Sequence, residues 1–538
     1  MITPAGTAMT GSDLAKEIER LYRQGLTDYY MEPLVMVDAD RNPVGRVQDD
    51  DAIIFCCKRG EREIQLTRSF IDPSFDEFTT RNLENLTFVT LTLYHEMFLR
   101  MPAAVAFPPL QVLDDTIGEV VSRSGLRQLR VAESEKFAHV TFFLNGNNNR
   151  VFRGEDHIRV PSIKGVPFDR VPELRSEQVA GEIIKSMQDG QHAFIVVNFA
   201  NGDMIGHFEN REPKIKCAEA VDRQLARVLS AAASAGYVTL ITADHGILET
   251  AVTPDGIPNL SHTQKPVPLI VVDPDTNYRS AVRLRGAGTL ADVAPTALQL
   301  MGLAKPELMT GQSLLRDRYA ADAARKVLLV ILDGWGLGKP DQTNPILLAD
   351  TPVWDRLTTD FPMARLEASG KAVGLLDWKA GNSEAGHQTI GAGRTVLQDD
   401  ARIELAISDG SFFKNSVFLS AFEKTQAHNG SLHLLALLSE KSSHGSISYP
   451  VALLRLAREK KLKKVFVHAI FDGRSTKVRS AVAFLEKLQR EMTALGVGEL
   501  ASGIGRGLAL DRDGDYRKTK QAYDALACGI GIKVPSAR

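Results

Sequence analysis

The chain has 538 residues, 44% hydrophobic and 24% charged, which is the composition of ordinary globular domains. Its 64 basic residues face 66 acidic ones, for a net charge of -2, and this excludes the basic excess of a nucleic-acid binder. At roughly 150 residues per domain, the length suits three or four small domains or two large α/β ones.

From the N-terminus, MITPAGTAMTGSD has neither a basic head nor an apolar stretch, so it does not read as a signal peptide. The first helix is expected near Leu14 to Tyr22, with Leu14, Ile18, Leu21 and Tyr22 on one face. Strands are expected at LVMVD (34–38), AIIFCC (52–57), HVTFFL (139–144), AFIVVNF (193–199) and YVTLITA (237–243). Further strands are expected at VPLIVV (267–272), KVLLVIL (326–332), LHLLALL (432–438) and KVFVHAI (464–470). NGNNNR (145–150) reads as a turn. RDRYAADAARK (316–326) reads as a linker before a fresh strand, and REKKLKK (458–464) as the solvated end of a helix. Apolar runs alternating with helical patterns predict an α/β architecture with parallel sheets. No apolar run reaches the ~18 residues of a membrane helix. Cys56, Cys57, Cys217 and Cys528 have neither metal-ligand nor disulfide spacing. A soluble, cytoplasmic protein is therefore expected.

Polar residues follow several of these strands. KVLLVIL runs into Asp333 (ILDGWG), YVTLITA into Asp244 and His245 (TADHG), and AFIVVNF into Asp203 and His207 (NGDMIGH). His262 (SHTQKPVP) stands just before the next apolar run. Open parallel sheets bind ligands beyond the carboxyl ends of their strands, so these side chains are expected to converge. Asp with His is a donor set for manganese or zinc, whereas calcium favours oxygen alone. Ser383, in GNSEAGH, has two readings: a helix cap, or a nucleophile. Lacking a histidine–aspartate relay, a nucleophile there would need a metal to lower its pKa. A serine at a helix N-terminus also suits a bound phosphate, so the two readings are compatible.

Together, ILDGWG, GNSEAGH with IGAGR, NGDMIGH, TADHG and SHTQKPVP resemble the cofactor-independent (2,3-bisphosphoglycerate-independent) phosphoglycerate mutases of the alkaline phosphatase superfamily, over roughly residues 14 to 530. The resemblance implies that Ser383 is phosphorylated during turnover. It implies two divalent ions, most favourably Mn2+, one on Asp333, Ser383, Asp244 and His245, the other on Asp203, His207 and His262. Lys136 (ESEKFAHVTFF) matches the lysine that contacts the phosphoserine. Arg59 and Arg62 (KRGER), Arg474 and Ser475 (DGRS), Arg506 and Arg512 (GRGLALDRD) and His444 match substrate-binding positions. Five guanidinium groups suit a doubly anionic phospho-acid, which they pair bidentately. The implied activity is interconversion of 3-phosphoglycerate and 2-phosphoglycerate by a monomeric enzyme with no nucleic-acid or membrane partner.

Two features depart from that family. Its members begin with the LDGWG strand, which lies here near residue 331, so the chain reads as circularly permuted. A phosphatase-like domain is expected at 109–398, and a split transferase-like domain at 1–108 and 399–538. In the substrate region, Ser475 replaces an acid, Ser446 replaces a histidine of the loop KSSHGS (441–446), Gly507-Leu508 replaces two tyrosines and Lys58 a phenylalanine. Phosphoryl chemistry is therefore expected to be intact, with a related phosphomutase or a phosphatase acting on another small phospho-acid as the alternative.

Overall fold

The computed structural model describes residues 11–109, 112–275, 282–316, 324–440 and 442–535. The chain divides into two compact units, one made of Met1–Pro109 with Arg402–Arg538, the other of Leu110–Ala401. Each is an α/β unit around its own eight-stranded sheet. Most of the expected linker 316–326 lies outside the described residues, as does Lys441 of the KSSHGS loop.

In the unit 110–401 the strands lie edge to edge as Ala287–Thr289, Met363–Glu367, Val267–Val272, Tyr237–Thr242, Lys326–Leu332, Phe194–Phe199, Gln128–Glu133 and Glu155–Val160. Val267–Val272 runs antiparallel to both its neighbours, and every other pairing is parallel. Strands covered on both faces read as unbroken apolar runs. Accordingly, all six residues of Phe194–Phe199 and of Tyr237–Thr242 are buried. Helices Ser176–Asp189, Arg211–Ala235 and Val293–Leu300 supply the rest of this core through Ile183, Leu225 and Leu298, among others.

One expected strand is absent. HVTFFL forms a π-helical turn, His139–Phe143. Lys136, Val140 and Leu144 are buried at helical spacing, and the Thr141 hydroxyl donates to Phe137 O, four residues back, at 2.7 Å. The β-branched and aromatic composition pointed to a strand, but a short apolar run does not reveal its period. NGNNNR behaves as expected, with Gly146 and Asn147 both at positive φ.

The other unit orders its strands as Ile532–Pro535, Leu34–Val37, Glu499–Gly505, Val465–Phe471, Leu432–Leu438, Ala52–Phe55, Thr87–Thr92 and Ala103–Phe107. Its strands alternate faces, and the two faces feed separate cores. Ile54, Cys56, Leu434 and Ala436 enter one core, while Ile53, Phe55, Cys57 and Leu435 enter the other. Each buried Ile, Leu or Phe side chain stabilises the fold by about 1.5–3 kcal/mol. The helix Gly11–Arg23 packs Leu14, Ile18, Leu21 and Tyr22 on the first of these cores. Lysines 460, 461, 463 and 464 lie exposed just beyond the helix Ser448–Glu459.

A polar line crosses the second face. His433 Nε2 stands 3.1 Å from Asp51 Oδ2 and its Nδ1 3.0 Å from His468 Nε2, while His468 Nδ1 is 2.8 Å from Ser502 Oγ. All four side chains are buried. With the Ser502 hydroxyl donating to His468, His468 to His433, and His433 to Asp51, both imidazoles are satisfied while neutral. Burial, followed by His433, holds His468 well below the ordinary histidine pKa.

Candidate active site

The sheet of the unit 110–401 delivers its polar residues to one edge. Lys136 closes the 3-10 turn after Gln128–Glu133, and Asp333 follows Lys326–Leu332 directly. Asp203 lies in the short helix Asn201–Gly206, with His207 as its C-cap, beyond Phe194–Phe199. Asp244 and His245 follow Tyr237–Thr242. His262 precedes its strand instead of following it. Because Val267–Val272 is reversed, its start lies beside the end of Tyr237–Thr242, so His262 reaches the same edge. Gly334, at φ 76°, lets the backbone turn there; a Cβ on it would stand 2.6 Å from Asp203 N.

Ser383 occupies the first helical position of Ser383–Ala392. It does not cap the helix. That duty falls to Asn382, whose Oδ1 accepts from Ala385 N at 2.9 Å. The Ser383 hydroxyl is thereby released for other contacts. Its Oγ accepts from Lys136 Nζ (2.7 Å), stands 3.0 Å from His245 Nε2 and donates to Asp333 Oδ1 (3.3 Å). Lys136 Nζ also donates to Asp203 Oδ2 (2.6 Å) and Asp333 Oδ1 (2.8 Å), so its three hydrogens are all used. Burial works against the Lys136 charge, but Asp333, Asp203 and Asp244 outweigh it and raise its pKa above the ordinary lysine value. His245 is likewise disfavoured by burial, yet Asp244 and Asp333 lift it to about 9.

The donor atoms fit a divalent metal. His207 Nδ1 donates to Leu260 O (2.9 Å) and His262 Nδ1 to Gly381 O (2.8 Å). Each ring is therefore fixed with Nε2 inward, the way second partners orient metal-binding histidines. The two Nε2 atoms face each other at 3.3 Å, and Asp203 Oδ1 lies 3.0 Å from that of His262 and 3.3 Å from that of His207. Asp203, His207 and His262 form one candidate cluster, and Asp203, His245 and Asp333 a second. Asp244 Oδ1 accepts from the His245 and Gly334 amides, while its buried Oδ2 has no hydrogen-bond partner.

The expected substrate residues lie in the other unit. Glu61 pairs with Arg59 and, at 3.0 Å, with Arg512. Asp472 accepts from Arg506 Nη1 at 2.5 Å, and both partners are buried. Arg62 is buried and donates to Leu510 O at 3.2 Å. His444 is buried against Glu63, at 3.1 Å. Arg474 and Ser475 are exposed.

Two family models match the chain. The model described as the metalloenzyme superfamily covers residues 8–305, more than half of it. The chain belongs to the metalloenzyme superfamily. A second model, the N-terminus of the BPG-independent phosphoglycerate mutases, matches residues 403–537. This metalloenzyme is 42% identical over 301 residues to a 2,3-bisphosphoglycerate-independent phosphoglycerate mutase of Listeria welshimeri, covering 56% of this chain and 57% of that one. It is 41% identical over 310 residues to a protein of the same name from Synechococcus sp., covering 57% of each. The chain thus spans somewhat over half the length of these relatives. A crystal structure of Leishmania mexicana phosphoglycerate mutase, solved at low cobalt concentration, is similar at 30% identity and a TM-score of 0.39, over 52% of this chain and 53% of that one. The names bear out the resemblance read from the motifs.

The metalloenzyme's edge holds two side chains to which the sequence reading gave no role. His387 is fully buried and forms a third cluster with Asp244 and Asp333. Its Nδ1 donates to Ser383 O (2.8 Å), and its Nε2 accepts from Asn198 Nδ2 (3.0 Å), which also donates to Asp333 Oδ2 (2.7 Å). One amide thus ties the aspartate after one strand to the helix that begins with Ser383. The sequence signal was a lone asparagine inside the apolar run AFIVVNF. The acids Glu61, Glu63 and Asp472 were also missed, because pairing with arginine or histidine leaves no mark on spacing.

Proposed function

We propose that the chain interconverts 3-phosphoglycerate and 2-phosphoglycerate through a phosphoserine at Ser383. The observation that carries this reading is the surroundings of Ser383 Oγ. It sits at a helix N-terminus, 2.7 Å from a buried ammonium and 3.0 Å from an imidazole nitrogen, among three buried aspartates. The names of the relatives and the mutase-specific second model support isomerisation over hydrolysis and over another phospho-acid.

In this reading Asp333, Ser383, Asp244 and His245 hold one divalent ion, and Asp203, His207 and His262 the other, with Mn2+ suited to mixed nitrogen and oxygen donors. Such ions supply Lewis-acid charge that activates a hydroxyl and neutralises phosphoryl oxygens. Ser383 Oγ forms its bond to phosphorus as the substrate's own P–O bond breaks. Lys136 balances charge on the transferring group. The N-terminal end of the helix Ser383–Ala392 favours the phosphate that results. Arg59, Arg62, Arg474, Arg506, Arg512 and His444 bind the acid while its other hydroxyl takes the phosphoryl group back. The unit 110–401 serves as the phosphatase-like part and the other unit as the substrate-binding part.

The order of the parts is read as a circular permutation. A model of the mutase N-terminus matches 403–537, downstream of the superfamily match. Lys326–Leu332, late in the sequence, pairs in parallel at the middle of its sheet. Among the described residues no helix is long and apolar enough to cross a membrane, and we place the enzyme in the cytoplasm, in glycolysis, as a monomer. The deciding measurement is an enolase-coupled assay of protein loaded with Mn2+. Turnover of 3-phosphoglycerate is expected, and its absence from metal-replete protein rejects the reading.

A further inference from the structure

Glu63 is a carboxylate with no exposed surface, at the N-cap of the helix Ile64–Ile71. A buried charge is costly unless donors surround it. Its Oε2 accepts from Arg62 N–H (3.0 Å), but the Arg62 side chain turns to Leu510 O instead. Its Oε1 lies 3.1 Å from His444 Nδ1. The neighbouring Cys57 thiol is pushed well above its ordinary pKa by burial and then by Glu63, so it stays protonated and able to donate.

The backbone holds this pair in place. Lys58 N–H donates to His444 O at 2.7 Å, and His444 N–H donates to Ser442 Oγ at 3.2 Å. At Gly60 the chain presses so closely on Tyr94 that a Cβ would stand 2.0 Å from Tyr94 O. An ionised carboxylate only accepts hydrogen bonds, so His444 Nδ1 carries a hydrogen whether the ring is neutral or charged. Nε2 is then the nitrogen left over, and among the described residues it has no hydrogen-bond partner. Glu61, which joins Arg59 and Arg512, lies within electrostatic reach of His444.

We propose that Glu63 is a positioning residue: it grips His444 through Nδ1 and presents Nε2 to the phospho-acid held by the neighbouring arginines. The inference rests on the mutase reading for the identity of that acid. It assigns the His444 ring an orienting carboxylate.

The test uses the full metal-loaded chain and two variants of similar volume, Glu63→Met and Glu63→Gln. Glutamine still accepts from Nδ1–H and methionine does not. Nitrogen-15 histidine spectra, with the His444 signal assigned by its loss in His444→Gln, should show Nδ1 protonated in wild type and Glu63→Gln. Glu63→Met should release that tautomer. Turnover of 3-phosphoglycerate should fall about 10–100-fold in kcat/KM for Glu63→Met, the scale of losing an orienting partner. Glu63→Gln should stay within about threefold of wild type, and Glu63→Met with His444→Gln should be no worse than His444→Gln alone. A wild-type spectrum with hydrogen only on Nε2 overturns the proposal even where Glu63→Met does not fold. So do fully additive losses in the double variant. If wild-type protein turns over no phosphoglycerate, the mutase reading fails and the substrate half of the proposal with it; the spectrum still decides the pairing.

Discussion

In the proposed mechanism Ser383 and Lys136 carry the chemistry, and each predicts a distinct failure. Ser383→Ala removes the hydroxyl shared by Lys136, His245 and Asp333. The coupled assay should show kcat reduced at least roughly 1,000-fold, the scale of losing a nucleophile; a residual rate within tenfold of wild type would exclude Ser383 from that role. Lys136 is a buried cation bonded to Asp203 and Asp333. Lys136→Met leaves those carboxylates uncompensated, so urea denaturation in chelator should show a loss of about 3–5 kcal/mol. On the proposed reading Mn2+ bound there would restore positive charge, and the loss should shrink. Equal losses with and without metal would count against a shared role in charge balance. Most of this site was legible as single acids and histidines at strand ends. Asn198 and His387 were not, nor was Glu63 in the other unit, because their parts depend on which atoms face each other across residues far apart in sequence.

Among the elements, continuous apolar runs were the readable signal, since buried parallel strands need little else. The less apolar Gln128–Glu133 and Glu155–Val160 escaped notice, the first because it carries the buried Arg130 and the second because it is an edge strand. HVTFFL misled by composition, and only its burial at helical spacing shows why it winds. The line from Asp51 to Ser502 yields a prediction at this scale. His468 stays neutral in the folded chain well below the ordinary histidine pKa, whereas the unfolded chain protonates it near pH 6.5. Below that point the unfolded state binds the extra proton, so stability falls as pH falls, by about 1.4 kcal/mol per unit for this group until its folded pKa is reached. Urea titrations at pH 7.0 and 5.5, on wild type and on His468→Gln, check this. The variant should lose that part of the slope, and an unchanged slope would remove His468 as its source.

For the whole molecule, the two units keep separate cores, and all the candidate ligands lie in the unit 110–401. Metal binding should therefore be felt there first. At a hundredfold excess over Kd it adds about 2.7 kcal/mol to that unit. Hydrogen exchange with and without Mn2+ should show protection rising in strands such as Tyr237–Thr242 and Lys326–Leu332, and little change in Leu432–Leu438 or Val465–Phe471. Uniform protection across both sheets would mean that the units respond as one body.

The sheet of the split unit sets Ala52–Phe55 directly beside Leu432–Leu438. During synthesis Leu34–Val37 and Ala52–Phe55 emerge long before Glu499–Gly505 and Leu432–Leu438, the strands they lie beside. Roughly 320 residues separate Phe107 from Leu432, so at 5–20 residues per second the wait on the ribosome lasts between roughly 15 s and a minute. Throughout it Ala52–Phe55 can pair with Thr87–Thr92, but its other edge, which Leu432–Leu438 will occupy, stays open to self-association. In the cell, the yield of native protein will therefore be sensitive to chaperones that shield nascent chains, and to translation speed through the middle of the message.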